Sequence, residues 1–306
     1  MMKKEKHIPL RFTSLSDLHR VLGLPKPLHP MVSVVDDMYT KIGKEKLNNS
    51  FILDFYKISY ITSVSGKLKY GQGFYDFDEG GMFFSAPNQI IANYDNSFDF
   101  TGYTLFVHPL FLLNTSLAKK IKQYGFFSYA ANEVLYLSET EKETITSIFK
   151  IIDAELKLPI DEFSQDVIIS QIELLLNYCN RFYKRQFITR KSVNNDLLQK
   201  LEEILDAYFS NEKSLEHGLP TVQFLTESLN LSPSYLSDML RSLTGQNAQQ
   251  HIHDKLIEKA KEKLSTTNLS VSEIAYGLGF EHPQSFSKLF KTKTKLSPLK
   301  FRQSFN

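Results

Sequence analysis

The feature that most constrains this chain is an internal repeat near its C-terminal end. Val222, Leu225, Leu229 and Leu231 recur 49 positions on as Val271, Ile274, Leu278 and Phe280. Leu236, Met239 and Leu240 recur 50 positions on as Phe286, Leu289 and Phe290. Each copy reads as a short helix, a tight turn and a second helix, with one residue inserted in the second copy's turn. In Leu229-Asn-Leu-Ser-Pro-Ser-Tyr, Asn230 suits left-handed backbone, Ser232 an N-cap and Pro233 the first helical position. In Leu278-Gly-Phe-Glu-His-Pro-Gln, Gly279 takes the left-handed position. This is the helix-turn-helix pattern. Gln246 to Leu264, between the copies, reads as one helix of about 28 Å. That reach suits two recognition helices set in successive major grooves, ~34 Å apart. Stacked helix pairs of a solenoid would not be separated by a single long helix.

The rest of the chain sets an α+β expectation. From about Asn49 to Phe106, segments rich in β-branched and aromatic residues are punctuated at Ser65-Gly66, Tyr70-Gly71-Gln72-Gly73, Glu79-Gly80-Gly81 and Pro87-Asn88. Such spacing predicts a small antiparallel barrel or jelly roll. Its aromatics, among them Phe51, Phe55, Tyr56, Tyr60, Phe74, Phe77, Phe83, Phe84 and Tyr94, are expected mostly to fill it. From Ser138 the apolar spacing turns helical: Ile145, Ile148, Phe149 and Ile152, then Ile168, Ile172, Leu175, Leu176, Cys179 and Phe182, with Pro159 between the two helices. The polar run Thr189 to Asp196 reads as a linker, and Asp196 to Ser210 as an amphipathic helix. Domains are therefore expected at 1–188 (helical from about 139), with a linker at 189–195 and an all-α domain at 196–306. The proline-rich stretch Leu22 to Pro30 reads as an extended arm.

The second copy carries a resemblance. Ile274-Ala275, Gly279-Phe280, Phe286-Ser287-Lys288-Leu289-Phe290-Lys291, Ser297-Pro298 and Phe301-Arg302 closely resemble the signature of the AraC/XylS transcription regulators over roughly residues 195–306. Lys295 departs from it, standing where the family has glycine. The resemblance implies two helix-turn-helix units that bind double-stranded DNA. It also implies a cupin-like N-terminal barrel open to a small-molecule effector, a helical pair that makes a homodimer, and contact with RNA polymerase if the protein activates.

On each recognition helix the residues away from the apolar row would face DNA. In the first copy these are Ser234, Tyr235, Ser237, Asp238 and Arg241. By resemblance Ser234, Ser237 and Asp238 face bases, and Arg241 is better placed for phosphate. Two small hydroxyls and one acid make a poor reading surface. In the second copy Gln284, Ser285 and Lys288 point outward; Gln suits adenine N6/N7 and Lys guanine O6/N7. Lys291, Lys293 and Lys295 suit phosphates. Net charge is only +2, yet from His282 onward there are six Lys or Arg and no acid, a cationic tip fit for a polyanion.

A regulator without a small-molecule ligand is the alternative, and a barrel enzyme with a DNA-binding tail is weaker still, so an enzyme is not expected. Residues 49–106 contain no histidine, and His108 stands alone. His251 and His253, two apart on a helix, point about 200° apart and do not share a metal. Cys179 lies on an apolar helical face, and no phosphate-binding loop or dinucleotide fingerprint is present. Neither metal nor cofactor is expected. Without a secretory signal or a span of ~18–20 apolar residues, the expectation is a cytoplasmic chain with no membrane contact.

Overall fold

The computed structural model describes residues 9–37, 50–65, 68–70, 73–75, 81–91, 99–130, 133–189, 191–210 and 213–304. The chain divides into two compact units, Met1–Gln186 and Phe187–Asn306.

The first unit opens with β1 (Leu10–Phe12), α1 (Leu15–Leu22) and β2 (Val32–Asp36). β3 (Phe51–Leu53), β4 (Tyr56–Ser65), β5 (Leu68–Tyr70), β6 (Gly73–Tyr75), β7 (Gly81–Ser85), β8 (Ile90–Ile91) and β9 (Asp99–Val107) follow. Among the described residues they form sheets ordered β1-β3-β8, β2-β9-β4-β7 and β5-β6, with no closed barrel. Phe77, Tyr94 and the expected turns at Gly66, Gly71-Gln72 and Glu79-Gly80 lie outside the described residues.

From Tyr56 to Ile61, β4 is buried on both faces. Tyr56, Ile58 and Tyr60 turn one way, and Lys57, Ser59 and Ile61 the other, with none above 7% exposed. On the first face lies α3 (Glu139–Leu156), whose Phe149 stacks on Tyr103 of β9 at 5.5 Å. On the second face Ser59 Oγ meets Thr104 Oγ1 at 3.0 Å, and Phe55 packs edge-on against Phe106. Phe12, Phe51 and Leu53 of the three-stranded sheet share this core with Val35, Ile61 and Phe106 of the four-stranded one.

After the short helix α2 (Leu117–Lys120), α3 and α4 (Ser164–Thr189) supply the helical layer. The rows read at helical spacing are its core: Ile145, Ile148, Phe149 and Ile152, and Ile168, Ile172, Leu175, Leu176, Cys179 and Phe182, are all buried. Arg185 ties α4 back, donating to Glu141 Oε2 at 2.5 Å and to the Tyr136 carbonyl at 2.8 Å.

One expectation is sharpened and another corrected. The segment Leu22 to Pro30, read as an extended arm, carries no helix or strand beyond Leu22 and is anchored at its start. α1 is a capped amphipathic helix whose Leu15, Leu18 and Leu22 enter the core, and Leu24 follows them in. His19, 3% exposed, faces the Pro25 carbonyl at 2.5 Å with Nδ1 and the Ser33 hydroxyl at 3.1 Å with Nε2. Second, the polar run read as a linker is helical on both sides of residue 190, because α4 runs to Thr189 and α5 (Lys191–Ser210) begins at Lys191.

The second unit continues with α6 (Lys213–His217), α7 (Val222–Leu229), α8 (Pro233–Thr244), α9 (Ala248–Thr266), α10 (Val271–Gly277), α11 (Pro283–Thr294) and α12 (Pro298–Gln303). Thr221, Ser270 and Ser297 cap their helices, and Asn247 and Gln250 form a capping box on α9. α9 buries Ala248, Ile252, Leu256, Ile257, Ala260 and Leu264.

Because α1 is core, Leu18→Ala should leave a cavity and cost about 2–4 kcal/mol in urea unfolding of the full chain. A loss below half a kcal/mol would show that α1 is not packed as described.

Candidate nucleic-acid interface

Both turns are built as their sequences demand. In the first, Asn230 is left-handed (φ 56°), and Ser232 Oγ accepts the Tyr235 N–H at 3.2 Å to start α8. In the second, Gly279 sits at φ 92°, and a Cβ there would lie 2.5 Å from the Gly218 carbonyl group. Glycine is required twice over, by conformation and by space. His282 stands at the N-cap of α11 without capping it, leaving Pro283 to begin the helix. Lys295 is left-handed at φ 64°, so the turn keeps the backbone that glycine would adopt while bearing the strain of a side chain there.

On α8, Leu236, Met239 and Leu240 are fully buried, while Ser234, Ser237 and Asp238 are half-buried and Arg241 is exposed. Arg241 Nη1 donates to Asp238 Oδ1 at 3.1 Å, so this cation carries its own counter-charge. Tyr235 is a correction: it does not face outward but is 9% exposed, with its ring edge-on to Phe187 at 5.1 Å. The sequence reading missed this because the partner lies 48 residues away, beyond any local periodicity.

On α11, Phe286 and Phe290 are buried and Leu289 is half-buried; Gln284, Ser285 and Lys288 are exposed together on the opposite side, with Lys291 beyond them. Lys293 departs from the expected phosphate clamp, because its Nζ pairs with Asp254 of α9 at 2.6 Å. The Lys295 ammonium donates to the Thr292 carbonyl at 3.1 Å and is otherwise exposed.

Several side chains hold this surface without belonging to it. Arg302, which closes the sequence motif, donates from Nη2 to the Leu269 carbonyl at 2.6 Å and from Nε to the Leu264 carbonyl at 3.2 Å. It thereby pins α12 to the end of α9 and to the entry of the second unit. Asp206 of α5 receives Lys255 and Lys259 of α9, each at 2.9 Å, and their hydrogen bonds hold its carboxyl below the ordinary carboxylate range. His251 Nε2 lies 2.9 Å from Thr244 Oγ1, and His253 Nε2 lies 3.0 Å from Gln249 Nε2. Burial lowers the pKa of both histidines, which suits structural rather than phosphate-facing roles. Asp254 was not singled out by the sequence reading; no local pattern joins it to a lysine 39 positions on.

The residues weighed for catalysis are accounted for structurally. His108 caps a 3-10 turn, accepting the Leu110 N–H at 3.2 Å. Cys179 is fully buried with its Sγ 3.6 Å from Met82 Sδ, and burial pushes its thiol pKa up, away from nucleophilic use. Among the described residues no three His, Cys, Asp or Glu side chains cluster to hold a metal, and no helix is long and apolar enough to cross a membrane.

Residues 225–304 match the family model of a helix-turn-helix domain. The chain is 24% identical over 276 residues to the Msm operon regulatory protein of Streptococcus mutans, covering 85% of this chain and 90% of that one. It is 28% identical over 141 residues to the transcriptional activator RhaS of Salmonella schwarzengrund, 46% of each chain. The C-terminal domain of the response regulator yesN from Fusobacterium nucleatum aligns at 31% identity, covering 35% of this chain and 98% of that one, with a TM-score of 0.31. Several curated relatives are matched over less than half their own length. The two capped turns and the shared central helix agree with the family model: residues 225–304 form a helix-turn-helix domain, and the chain is similar to transcription regulators of the AraC/XylS kind.

Proposed function

We propose that this protein is a sequence-specific transcription regulator that reads duplex DNA with both helix-turn-helix units. One observation carries this: two recognition helices flank a single 19-residue helix, and the second presents Gln284, Ser285 and Lys288 together to solvent. Ser234, Ser237 and Asp238 form the weaker reading face of the first. Arg241, Lys291 and Lys295 supply phosphate attraction, which adds affinity and salt dependence more than specificity. Fragments of genomic DNA captured by the purified protein should share two half-elements about a helical turn apart. Gln284→Ala and Lys288→Ala should relax preference in one half-element, each weakening the best site about tenfold. Capture that is salt-sensitive but blind to sequence, in wild type and variants alike, would refute the reading.

The N-terminal unit is the place for control by a small-molecule effector. The two sheets that share one core are consistent with part of a cupin-like barrel. At the edge of β7 a cavity of 370 Å³ is walled by Phe84, Phe126, Tyr129 and Tyr183, with Lys57 and Glu133 also lining it. Lys57 and Glu133 are only 6% and 4% exposed, and apolar walls with a few fixed polar groups are what a ligand pocket offers. In a metabolite screen, an effector at a hundred times its Kd should stabilise the folded chain by about 2.7 kcal/mol. Lys57→Met should remove that shift. A shift that survives both Lys57→Met and Glu133→Gln would place the effector elsewhere. No shift from any metabolite would favour a regulator without a small-molecule ligand.

A homodimer fits the helical layer: Val167, Leu174 and Ile188 are exposed on α4 at multiples of seven residues, the spacing of a helix–helix seam. Light scattering on a sizing column should give the mass of two chains at micromolar concentration; a single-chain mass would remove this part. The protein would act in the cytoplasm, and as an activator it would also meet RNA polymerase.

A further inference from the structure

We infer that Asp254 is a positioning residue that locks the two helix-turn-helix units into one reading register. Its carboxylate stands on α9 and joins both units at once. Oδ2 accepts from Gln246 Nε2 at 2.8 Å, and Oδ1 accepts from Lys293 Nζ at 2.6 Å. Gln246 directly follows Gly245, the left-handed residue that ends the recognition helix α8, and Lys293 lies in the last turn of the recognition helix α11. One side chain thus meets the exit of the first recognition helix and the exit of the second. Thr244 and His251 reinforce the α8 side.

This is not chiefly a stability device. The pair is 30% and 44% exposed, and such pairs contribute little to folding. Its use is geometric. Partial burial alone would raise the Asp254 carboxyl, but the Lys293 and Gln246 hydrogen bonds outweigh it and hold it below the ordinary range, so it stays ionised and paired. Lys293 is correspondingly withdrawn from the phosphate-facing set. Two recognition helices meet two half-elements with full affinity only if their separation and relative rotation are held. One base pair inserted between the half-elements turns the far one by about 35° and moves it 3.4 Å.

The inference rests on the proposed two-unit reading, and the test separates the two. Full-length wild type, Asp254→Asn, Lys293→Met and the charge swap Asp254→Lys/Lys293→Asp are titrated on three synthetic duplexes: the captured site at native spacing, the same site with one base pair inserted, and the second unit's half-element alone. Wild type should bind the inserted site about tenfold more weakly than the native one. Asp254→Asn, which keeps an acceptor for Gln246, and Lys293→Met should each shrink that penalty to about threefold or less. Their affinity for the lone half-element should stay within about twofold of wild type, and the charge swap should restore the penalty. Should Asp254→Asn fail to fold, Lys293→Met and the swap read the same quantity. Variants that keep the full spacing penalty overturn the inference alone. So does the pattern of a phosphate contact, in which Lys293→Met weakens all three duplexes alike and flattens the salt slope by about one while Asp254→Asn strengthens them. A wild type that prefers no site removes the function reading and the inference together.

Discussion

The C-terminal domain depends on one helix being buried by its neighbours on several sides. α9 is too polar to be stable alone, yet it places Ala248, Ile252, Leu256, Ile257, Ala260 and Leu264 against its neighbours. Each fully buried Leu or Ile of this row contributes roughly 1.5–3 kcal/mol, whereas an exposed ion pair adds about 0–1. The apolar row therefore holds the domain together. The polar contacts along α9 do something else: Asp206 with Lys255 and Lys259, Asp254 with Gln246 and Lys293, and Arg302 with the carbonyls at the helix's end choose one arrangement among those that would bury the same row. Under the proposed function, stability and register would come mainly from different residues, with the polar contacts setting how two recognition helices meet one duplex.

The N-terminal unit solves a related problem with a sheet. From Tyr56 to Ile61 β4 has no solvent face, so its alternation there cannot be apolar inside and polar outside. It carries Tyr56, Ile58 and Tyr60 toward the helices and Lys57, Ser59 and Ile61 toward the second sheet. A buried ammonium is expensive unless the surroundings answer its charge. Sequences tolerate that expense where the polar group is used, and Lys57 lines the same cavity as Glu133. The same burial at Cys179 has no such sequel, because its wall is apolar and its thiol is held neutral.

The helix-turn-helix repeat was legible in the sequence because everything that defines it is local. Asn230, Ser232 and the apolar triads act within a few residues, as does the left-handed turn at Gly279, although the space beside Gly279 is closed by the distant Gly218. Lys295 was legible as an anomaly, and it takes the left-handed backbone that glycine would have taken. The helical layer was legible for the same reason, through a 3.6-residue period. What was lost is what distance conceals. α1 and β1 escaped because a short amphipathic helix and a three-residue strand leave little periodic signal, and β1 exists only by pairing with Phe51–Leu53. Tyr235 was assigned to the wrong face because its side is decided by Phe187. Lys293 was assigned to phosphate because the acid that claims it lies on another helix. The barrel was legible only as strands: alternation and glycine turns specify strands, but closure depends on pairings that no single strand encodes, and the described strands form no closed barrel.

The two copies have diverged unequally, and the divergence has a physical direction. In the first, the recognition helix spends its charges on each other, Asp238 with Arg241, and buries Tyr235, leaving small hydroxyls outward. In the second, Gln284 and Lys288 stay exposed on the surface, while Lys293 is drawn to Asp254. A weak reader gains little from being rigidly attached to nothing, but it gains much from being rigidly attached to a strong one. Its few contacts are then made without a separate loss of translational and rotational freedom, which is the larger part of the cost of any weak association. Under the proposed function, the poor chemistry of the first recognition helix and the polar clamp on α9 are thus two sides of one arrangement. The second helix finds the site, and the fixed geometry lets the first contribute contacts too weak to hold DNA alone.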